Sequence, residues 1–353
     1  MNAPKKALLG LACAVAVASA ACDGSSTDAP DDASKAAVTT MHATVLGDLD
    51  KLVAATKALQ AAAPVVPGRG WDKVMDAAAI QTMKARWADC RIAYEHVEGA
   101  LAPIFPDLDA SIDARYDDFI AENGADEDLF DDQNVTGLHA AERIIYALDI
   151  PESVVELESS LPGYKAAAYP ATEAEATAFR DKLLAKMVKD AEALRDQWTP
   201  ANIDLPGAFT GLVALMSEQR EKVNKAGNQE EESRYSQKTM FDLRANLEGT
   251  RRVYEAFRPW LKTLKSADPE KDGPTLDAAI LAGFDGLDAV YDTIDGDAFP
   301  SPPATWSAES PSAADLMTPF GKLYVAVTSA VDPARDGSIV HEMNHAAEAL
   351  GLE

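Results

Sequence analysis

The stretch AAVTTMHATVLGDLDKLVAATKALQAA, residues 36–62, establishes the fold class. Its apolar side chains recur three and four positions apart, as at Leu46, Leu49, Leu52 and Val53, which is the spacing of one face of an α-helix. Similar stretches rich in Ala, Leu, Glu, Lys and Arg continue along the chain, and alternating β-branched runs are absent from the sequence. The sequence therefore predicts an all-α protein.

Pro- and Gly-containing breaks divide the chain into ten predicted helical segments. These segments are 36–62, 72–102, 108–121, 134–148, 172–198, 207–226, 233–264, 274–294, 312–331 and 338–350. Helices joined by short loops favour antiparallel packing. Because a Pro-rich stretch near residue 200 separates two groups of segments, we predict two antiparallel helical bundles, residues 36–200 and 201–353.

The first 35 residues are predicted to lie outside the folded body. Residues 1–21 have the basic start, apolar run and small residues of a signal peptide, which indicates export to the periplasm or the cell surface. The lipobox-like sequence SAA precedes Cys22, so we expect a lipid on Cys22 to anchor the protein to a membrane, with plain secretion as the alternative. The small, acidic segment 22–35 is typical of a flexible tether.

The chain carries a formal net charge of −26, from 58 acidic and 32 basic residues. Such a charge disfavours nucleic acids and anionic membrane surfaces as partners, because both attract positive charge. Most of the acids are expected to solvate the surface, although a negative surface also concentrates cations. Cys90 is the one cysteine that remains after export and lipidation, so we expect no disulfide framework.

The sequence GLHAAE, residues 137–142, contains the sharpest local signal for a metal site. His139 and Glu142 are three residues apart and lie on one face of a predicted helix, where an imidazole nitrogen and a carboxylate oxygen can reach one cation. The alternative is a core histidine beside a surface acid, because so short a pattern has little specificity.

A second polar stripe lies on the second predicted helix, where Arg91, Glu95 and Glu98 share one face. The acids offer oxygen ligands, and Arg91 can hold a carboxylate in place. The acid-rich segment that follows contributes Asp113 as a nearby ligand and Arg115 as a second orienting cation. A solvated helix face is the alternative interpretation.

In the second half, Asp242 and Asn246 are four residues apart between apolar side chains, which predicts that both point into a bundle and support the site. The alternative interpretation of this string is a plain helix N-terminus capped by Ser233 or Ser236.

Three segments, in this order, resemble the imelysin family. They are ARWADCRIAYEHVEGALAPIFPDLDASIDARYDDF (85–119), NVTGLHAAERIIYAL (134–148) and EEESRYSQKTMFDLRANLEGTRRVYE (230–255). The resemblance covers roughly residues 40–295, and three ordered motifs are more specific than one HxxE pattern. Within the family, the chain is similar to the periplasmic lipoproteins of the Efe-type iron uptake system.

The resemblance implies a two-bundle helical protein in the periplasm with a GxHxxE metal motif, matched by Gly137, His139 and Glu142, and with acids on the second helix, matched by Glu95 and Glu98. Family members are tied to iron acquisition, and the founding members were described as metallopeptidases. The resemblance therefore implies iron, whereas imidazole and carboxylate ligands alone also suit manganese or zinc.

Two features depart from this branch of the family. Gln237 stands where the branch commonly has a histidine, and the cupredoxin domain that precedes the helical region in some members is missing from the sequence. We therefore do not expect copper-assisted oxidation of iron.

The string HEMNH, residues 341–345, matches the HExxH pattern of zinc proteases, in which two histidines bind zinc and the Glu is a general base. Such a site needs a third protein ligand, and only eight residues follow His345, so the ligand would have to come from elsewhere in the fold. An accessory metal-binding histidine pair and a structural or chance match are the alternatives.

The leading hypothesis from the sequence is a lipoprotein that captures a transition-metal cation, iron by the resemblance, and passes it to an inner-membrane permease. The predicted ligands are His139, Glu142, Glu95, Glu98 and Asp113. A metallopeptidase and a helical surface protein with a degenerate site are the rival hypotheses.

Overall fold

The computed structural model describes residues 32–228 and 230–353, and its regular elements in these ranges are helical. The all-α prediction is confirmed. The predicted signal peptide and Cys22 lie outside the described residues. The predicted tether extends too far, because Asp32–Lys35 already belong to the first helix. Within the described ranges, no helix has the length and apolar character needed to span a bilayer.

Nine α-helices occupy the described part of the chain before residue 200. They are α1 Asp32–Ala62, α2 Ala77–Glu95, α3 Glu98–Leu101, α4 Pro106–Asp113, α5 Tyr116–Asn123, α6 Gly137–Ile145, α7 Glu152–Ser159, α8 Glu173–Ala178 and α9 Leu184–Gln197. A π-helical turn, Phe179–Leu183, joins α8 to α9. Two predicted segments are each split in two here, into α2 and α3 and into α4 and α5, and α7 was not predicted.

Six α-helices follow in the described remainder of the chain. They are α10 Leu205–Ala226, α11 Thr239–Tyr254, α12 Arg258–Leu261, α13 Gly273–Tyr291, α14 Pro319–Ala330 and α15 Ile339–Leu350. Short 3₁₀ turns precede α13 and α14, at Pro269–Lys271 and Asp315–Met317.

The start of α11 is the clearest departure from the predicted boundaries. Residues 231–238 form a turn-rich segment, which we call the 231–238 loop, and Gln237 has a positive φ of 57° there. The alternative of a cap by Ser233 or Ser236 is wrong, because α11 begins later, at Thr239, and no side chain caps it. Because it is not helical, this loop can fold over the first half of the chain.

The helices pack as two bundles, and α2 lies where the two bundles touch. Helix α1 packs mainly against α2 and α9, whereas α13 packs against α14 and α15. Helix α2 also contacts α6 and α11, and α3 packs chiefly against α10. The boundary near residue 200 stays a prediction, since short helices from the first half lie directly on the second.

The apolar pattern of α1 forms part of one continuous core. Leu49 and Leu52 are buried, and Leu46 is half-buried against the same core. Each fully buried leucine contributes about 1.5–3 kcal/mol through removal of its side chain from water. The core also buries Trp87 and Trp198 completely, so it holds the helices that carry the polar site.

Candidate metal centre

A glycine brings helix α6 into direct contact with the end of α4. Gly137, the first residue of α6, has a φ of +89°, a region that L side chains rarely adopt. A Cβ atom there would lie 2.1 Å from the carbonyl oxygen of Ile112. Because glycine has no side chain, α6 can start against the backbone that precedes Asp113. This close approach places His139 next to Asp113.

The motif histidine and its acid are paired with each other. His139 is buried, and its Nδ1 lies 2.9 Å from Oε2 of Glu142. The other carboxylate oxygen of Glu142, Oε1, accepts a hydrogen bond of 2.8 Å from the backbone N–H of Ser236 in the 231–238 loop. Burial raises the pKa of Glu142, and its hydrogen bonds with His139 and Ser236 oppose this rise. In the ionised state the carboxylate can only accept, and the imidazole proton then lies on Nδ1. The lone pair of Nε2 then faces away from Glu142 and is available to a cation.

Two carboxylates, those of Asp113 and Glu232, converge on Nε2 of His139. This buried atom has no hydrogen-bond partner among the described residues, and it lies 3.4 Å from Oδ1 of Asp113. Ligand atoms of His139, Asp113 and Glu232 all lie within 4.8 Å of one another, the only such group of three in the described part of the chain. Buried acceptors that face each other need a cation or a proton between them. We call these three residues the triad.

Arg91 holds the carboxylates of the site in place. Its side chain is completely buried, and its guanidinium nitrogens lie 2.5 Å from Asp113 and 2.8 Å from Glu232. The guanidinium also contacts Glu95 one turn along α2, and its Nε lies 3.3 Å from Asp242 of α11. A buried cation is tolerated because these acids surround it. Arg91 therefore connects acids from four places in the chain.

On the side of α10 and α11, Lys222 pairs with Glu232, and Asn246 binds Glu95 and Glu98. The Nζ of Lys222 lies 2.6 Å from Oε2 of Glu232 and donates a hydrogen bond of 2.8 Å to Oδ1 of Asn246. The amide of Asn246 donates in turn to Glu95 and, at 3.0 Å, to Oε2 of Glu98. Glu95 and Glu98 are thus held beside the triad by Asn246.

Arg115 occupies the edge of the site. It donates a hydrogen bond of 3.0 Å to the carbonyl oxygen of Glu230, and its Nε lies 3.6 Å from Asp117. A cavity of about 200 Å³ adjoins the triad at this edge. Its lining is charged throughout: Glu98, Asp113, Arg115, Glu218, Glu221, Lys222, Lys225 and Glu232. Since it reaches two triad carboxylates, this cavity offers a polar route to the triad.

The protonation states follow from burial and from the two cations. Burial lowers the pKa of His139, so the imidazole is neutral and able to bind a metal at neutral pH. Burial raises the pKa of Asp113, although Arg91 opposes the rise. Burial also acts to raise the pKa of Glu232, but Lys222 and Arg91 outweigh it and hold that pKa below its ordinary value. Glu232 therefore stays ionised.

Negative charge is in excess around the triad. Six carboxylates meet two cationic side chains; the carboxylates are Glu95, Glu98, Asp113, Glu142, Glu232 and Asp242, and the cations are Arg91 and Lys222. Uncompensated buried charge is unfavourable, so protons or a bound cation must balance it. Protons can supply this balance where burial raises a carboxyl pKa, as at Asp113 and Glu142, and a bound cation is the other way to supply it.

Sequence reasoning missed Glu232 and Lys222. Glu232 lies in the third segment that resembles the imelysin family, and its position beside two further glutamates is the signal that could have drawn attention to it. Gln237, which replaces a histidine common in the resembling branch, donates to Oε1 of Glu231 at 2.8 Å and is not a triad member.

Helix α15 carries the HEMNH string away from the triad. Oε1 of Glu342 accepts a hydrogen bond of 2.8 Å from the backbone N–H of Gly337, before the start of the helix. The expected general base is therefore engaged by the backbone. His341 and His345 belong to no group of three convergent ligands within the described ranges, so the zinc-protease interpretation gains no preformed site.

Comparison with known proteins agrees with this architecture. The chain is similar to the iron uptake system component EfeO of Escherichia coli O157:H7, with 27% identity over 263 residues, 74% of this chain and 55% of that protein. It is also similar to the iron uptake system component EfeM of Pseudomonas syringae pv. syringae B728a, with 29% identity over 248 residues, 69% of this chain and 73% of that protein. The chain thus spans about half the length of the EfeO relatives.

A solved structure shows the same fold. The crystal structure of an imelysin-like protein from Psychrobacter arcticum 273-4 superimposes with a TM-score of 0.57 at 12% identity, and the match covers 91% of this chain and 97% of the other. The sequence model of the family described as Imelysin matches residues 36–316. Because that match spans most of the chain, including the GxHxxE motif and the 231–238 loop, the protein belongs to the imelysin family.

Proposed function

We propose that this protein captures a transition-metal cation, with iron as the first candidate, and delivers it to a metal uptake system. The observation that carries the proposal is the buried Nε2 of His139, which has no hydrogen-bond partner among the described residues and faces the carboxylates of Asp113 and Glu232. Nitrogen and oxygen ligands together suit iron, manganese or zinc. Iron is preferred because the relatives are named iron uptake system components.

In this proposal the triad binds the metal directly, and the other predicted residues support it. Glu142 orients the imidazole of His139 through Nδ1, the outer-shell role that carboxylates have around metal-binding histidines. Arg91 positions Asp113 and Glu232. Glu95 and Glu98, expected as ligands from the sequence, instead anchor the amide of Asn246.

We also propose that the protein works outside the cytoplasmic membrane, anchored through a lipid on Cys22, and that an inner-membrane permease receives the metal. The support is the signal-peptide pattern of residues 1–21 and the lipobox-like sequence before Cys22. Protease digestion of spheroplasts, in which the outer face of the cytoplasmic membrane is accessible, tests the location, and labelling by a palmitate analogue in wild-type and Cys22→Ala cells tests the anchor.

Metal analysis of matched variants tests the binding site. The protein is purified without chelators or a metal-binding tag, and its metal content is measured for the wild type, His139→Ala and Glu232→Gln. His42→Ala and Glu231→Gln are the controls, since neither residue belongs to the triad. We expect near-stoichiometric metal in the wild type and controls and its loss in the two triad variants. Equal metal content in all five proteins would refute the proposal.

A further inference from the structure

We propose a second metal site on the surface of the protein, formed by the histidine pair His341 and His345 with the carboxylate of Asp336 beside His341, that takes a divalent cation of the Zn²⁺, Ni²⁺ or Cu²⁺ class. The three side chains belong to α15 and the turn before it, whereas the triad is built from α4, α6 and the 231–238 loop. The second site is therefore independent of the proposed iron site.

The two histidines are arranged to share one ion. They lie four residues apart on α15, so their side chains project from the same face one turn apart. Their ring centroids are 4.5 Å apart, with an angle of 42° between the ring planes. A pair of imidazoles at this spacing on a helix can bind one cation from adjacent coordination positions.

The tautomer of His341 leaves its Nε2 available to a metal ion. Its Nδ1 lies 3.0 Å from the carbonyl oxygen of Pro333, and a carbonyl only accepts, so Nδ1 carries the proton. Metal-binding histidines commonly donate their other N–H to a backbone carbonyl, which orients the ring. The lone pair of Nε2 then points toward Asp336, whose Oδ1 lies 3.7 Å away. The histidine pair therefore has one carboxylate beside its first member.

The backbone around the pair is well anchored. Ser338 caps α15 by accepting a hydrogen bond from the backbone N–H of His341 at 3.1 Å, and the same hydroxyl donates to the carbonyl oxygen of Asp332 at 2.5 Å. Val340 and Met343 on the opposite face are buried in the core. The outer face is open to solvent, because the side chain of Asp336 is fully exposed and that of His341 is 19% exposed. An ion can reach the ligands without any rearrangement of the helix.

The chemistry favours metal binding without peptide hydrolysis. Imidazole nitrogens prefer the borderline transition metals over Ca²⁺ or Mg²⁺. The start of a helix disfavours a cation, but the carboxylates of Asp336 and Glu342 lie in this region and offset that effect. Glu342, the only acid within the HExxH pattern, accepts from the backbone N–H of Gly337 through Oε1, so one of its oxygens is turned toward the backbone.

Titration with Zn²⁺ tests the site in the full chain. Isothermal calorimetry is performed on protein freed of metal, for the wild type, His139→Ala, His345→Ala, Asp336→Asn and Glu342→Gln. Because the triad can also take zinc, the decisive variant is His139→Ala, in which we expect a Zn²⁺ binding event to remain; the same event should persist in Glu342→Gln. Loss of an outer-shell partner typically lowers metal affinity by roughly 10–100-fold. In His345→Ala, which removes a direct ligand, we expect the Zn²⁺ affinity to fall by more than this, and in Asp336→Asn we expect a smaller fall.

Two results would overturn the proposal. One is Zn²⁺ binding that is unchanged in His345→Ala, and the other is a single binding event that disappears with His139→Ala, which would assign the zinc to the triad. Retention of the untagged protein on a Ni²⁺-charged resin gives a second readout, and it should be lost in the variant His341→Gln, which keeps a polar side chain of similar length. Zn²⁺-dependent cleavage of unfolded casein that requires Glu342 would contradict the assignment to binding alone.

Discussion

Nδ1 of His139 lies 2.9 Å from Oε2 of Glu142, so the two polar residues of the HxxE motif are hydrogen-bonded to each other across one helical turn. The second oxygen of Glu142 accepts from the backbone of Ser236, 94 residues further along the chain. One carboxylate therefore orients the imidazole and connects α6 to the 231–238 loop. Both oxygens of Glu142 are needed as acceptors, one for the imidazole of His139 and one for the backbone N–H of Ser236.

The variant Glu142→Gln tests this orienting role. A glutamine amide replaces one acceptor oxygen by a donor, so it cannot accept from both His139 and Ser236. We expect metal affinity to fall by roughly 10–100-fold, the usual effect of losing an outer-shell partner of a metal ligand, while the protein still folds. Competition with a metal-sensitive dye measures the affinity. An affinity equal to that of the wild type would show that the pairing does not support the metal site.

The variant Glu232→Gln is expected to affect stability as well as metal binding. Glu232 is the closest acid to Lys222, at 2.6 Å, and also pairs with Arg91 at 2.8 Å. Lys222 and Arg91 hold the pKa of Glu232 below its ordinary value, which shows that these ion pairs stabilise its charged form in the folded state. Because Glu232→Gln removes both ion pairs, we expect the free energy of unfolding to fall by about 3 kcal/mol. Urea unfolding of the metal-free protein measures this change.

Glu231→Gln is the matched control for that experiment. Burial raises the pKa of Glu231 to about 7, so near neutral pH this carboxyl group is already protonated, and therefore neutral, in about half of the molecules. Glutamine resembles the neutral form, and the free energy of unfolding should change much less than in Glu232→Gln. Equal losses of stability in the two variants would indicate that the ion pairs of Glu232 have no special role.

Without metal, the protein should become more stable as the pH falls from about 8 to about 5. Burial raises the pKa of Asp109 to about 7 and that of Glu231 to about 7, whereas their ordinary values are 3.8 and 4.5. In this interval the folded state holds protons that the unfolded chain has released, so the free energy of unfolding rises on acidification. Urea midpoints measured in a chelator across this range test the slope, which Asp109→Asn should reduce.

Stronger acid should reverse that trend. Burial acts to raise the pKa of Asp48, but hydrogen bonds from His96 and Lys51 hold it below its ordinary value of 3.8. The stability that Asp48 contributes is present above this ordinary value and is lost as the pH falls further. A urea midpoint that increased steadily from about pH 5 to about pH 8 would contradict the assigned direction for Asp109 and Glu231.

The variant Gly137→Ala should damage the junction of α4 and α6. The new Cβ would lie 2.1 Å from the carbonyl oxygen of Ile112, and the φ of +89° is strained for alanine. We expect a loss of at least about 1–3 kcal/mol in the free energy of unfolding, with weaker metal binding. Gly47→Ala is the control, because that glycine lies inside α1 with no atom within 4 Å of the added Cβ. There we expect a gain of about 0.5–1 kcal/mol, measured by urea unfolding.

Local patterns accounted for the helices and for part of the site. Leu49 and Leu52 are buried as the spacing in α1 predicts, because helical periodicity depends only on neighbouring residues. The same reasoning placed His139 and Glu142 on one face. It could not show that the imidazole and the carboxylate bind each other, since side-chain rotamers and the Ser236 contact decide this.

Tertiary contacts decided the rest of the site. The 231–238 loop resembles a helix N-terminus in sequence, yet its backbone N–H at Ser236 is bound by Glu142, and Gln237 adopts a positive φ. Glu232 reaches the triad only because this loop folds over the first half of the chain. Periodicity contains no information on such a contact, so the sequence predicted the surroundings of the triad but not its third member.

The contacts of Arg91 have a consequence for the order of folding. Its partners Glu232 and Asp242 lie 141 and 151 residues further along the chain. Contacts of such separation form only after a long loop has closed, at an entropic cost that local helices do not have. A chain synthesised only to the end of α10 contains His139 and Asp113 but lacks Glu232 and the loop that orients Glu142. The triad therefore cannot form before the chain beyond α10 has been made and has folded back, and an ion bound there would distinguish a finished molecule from an unfinished one.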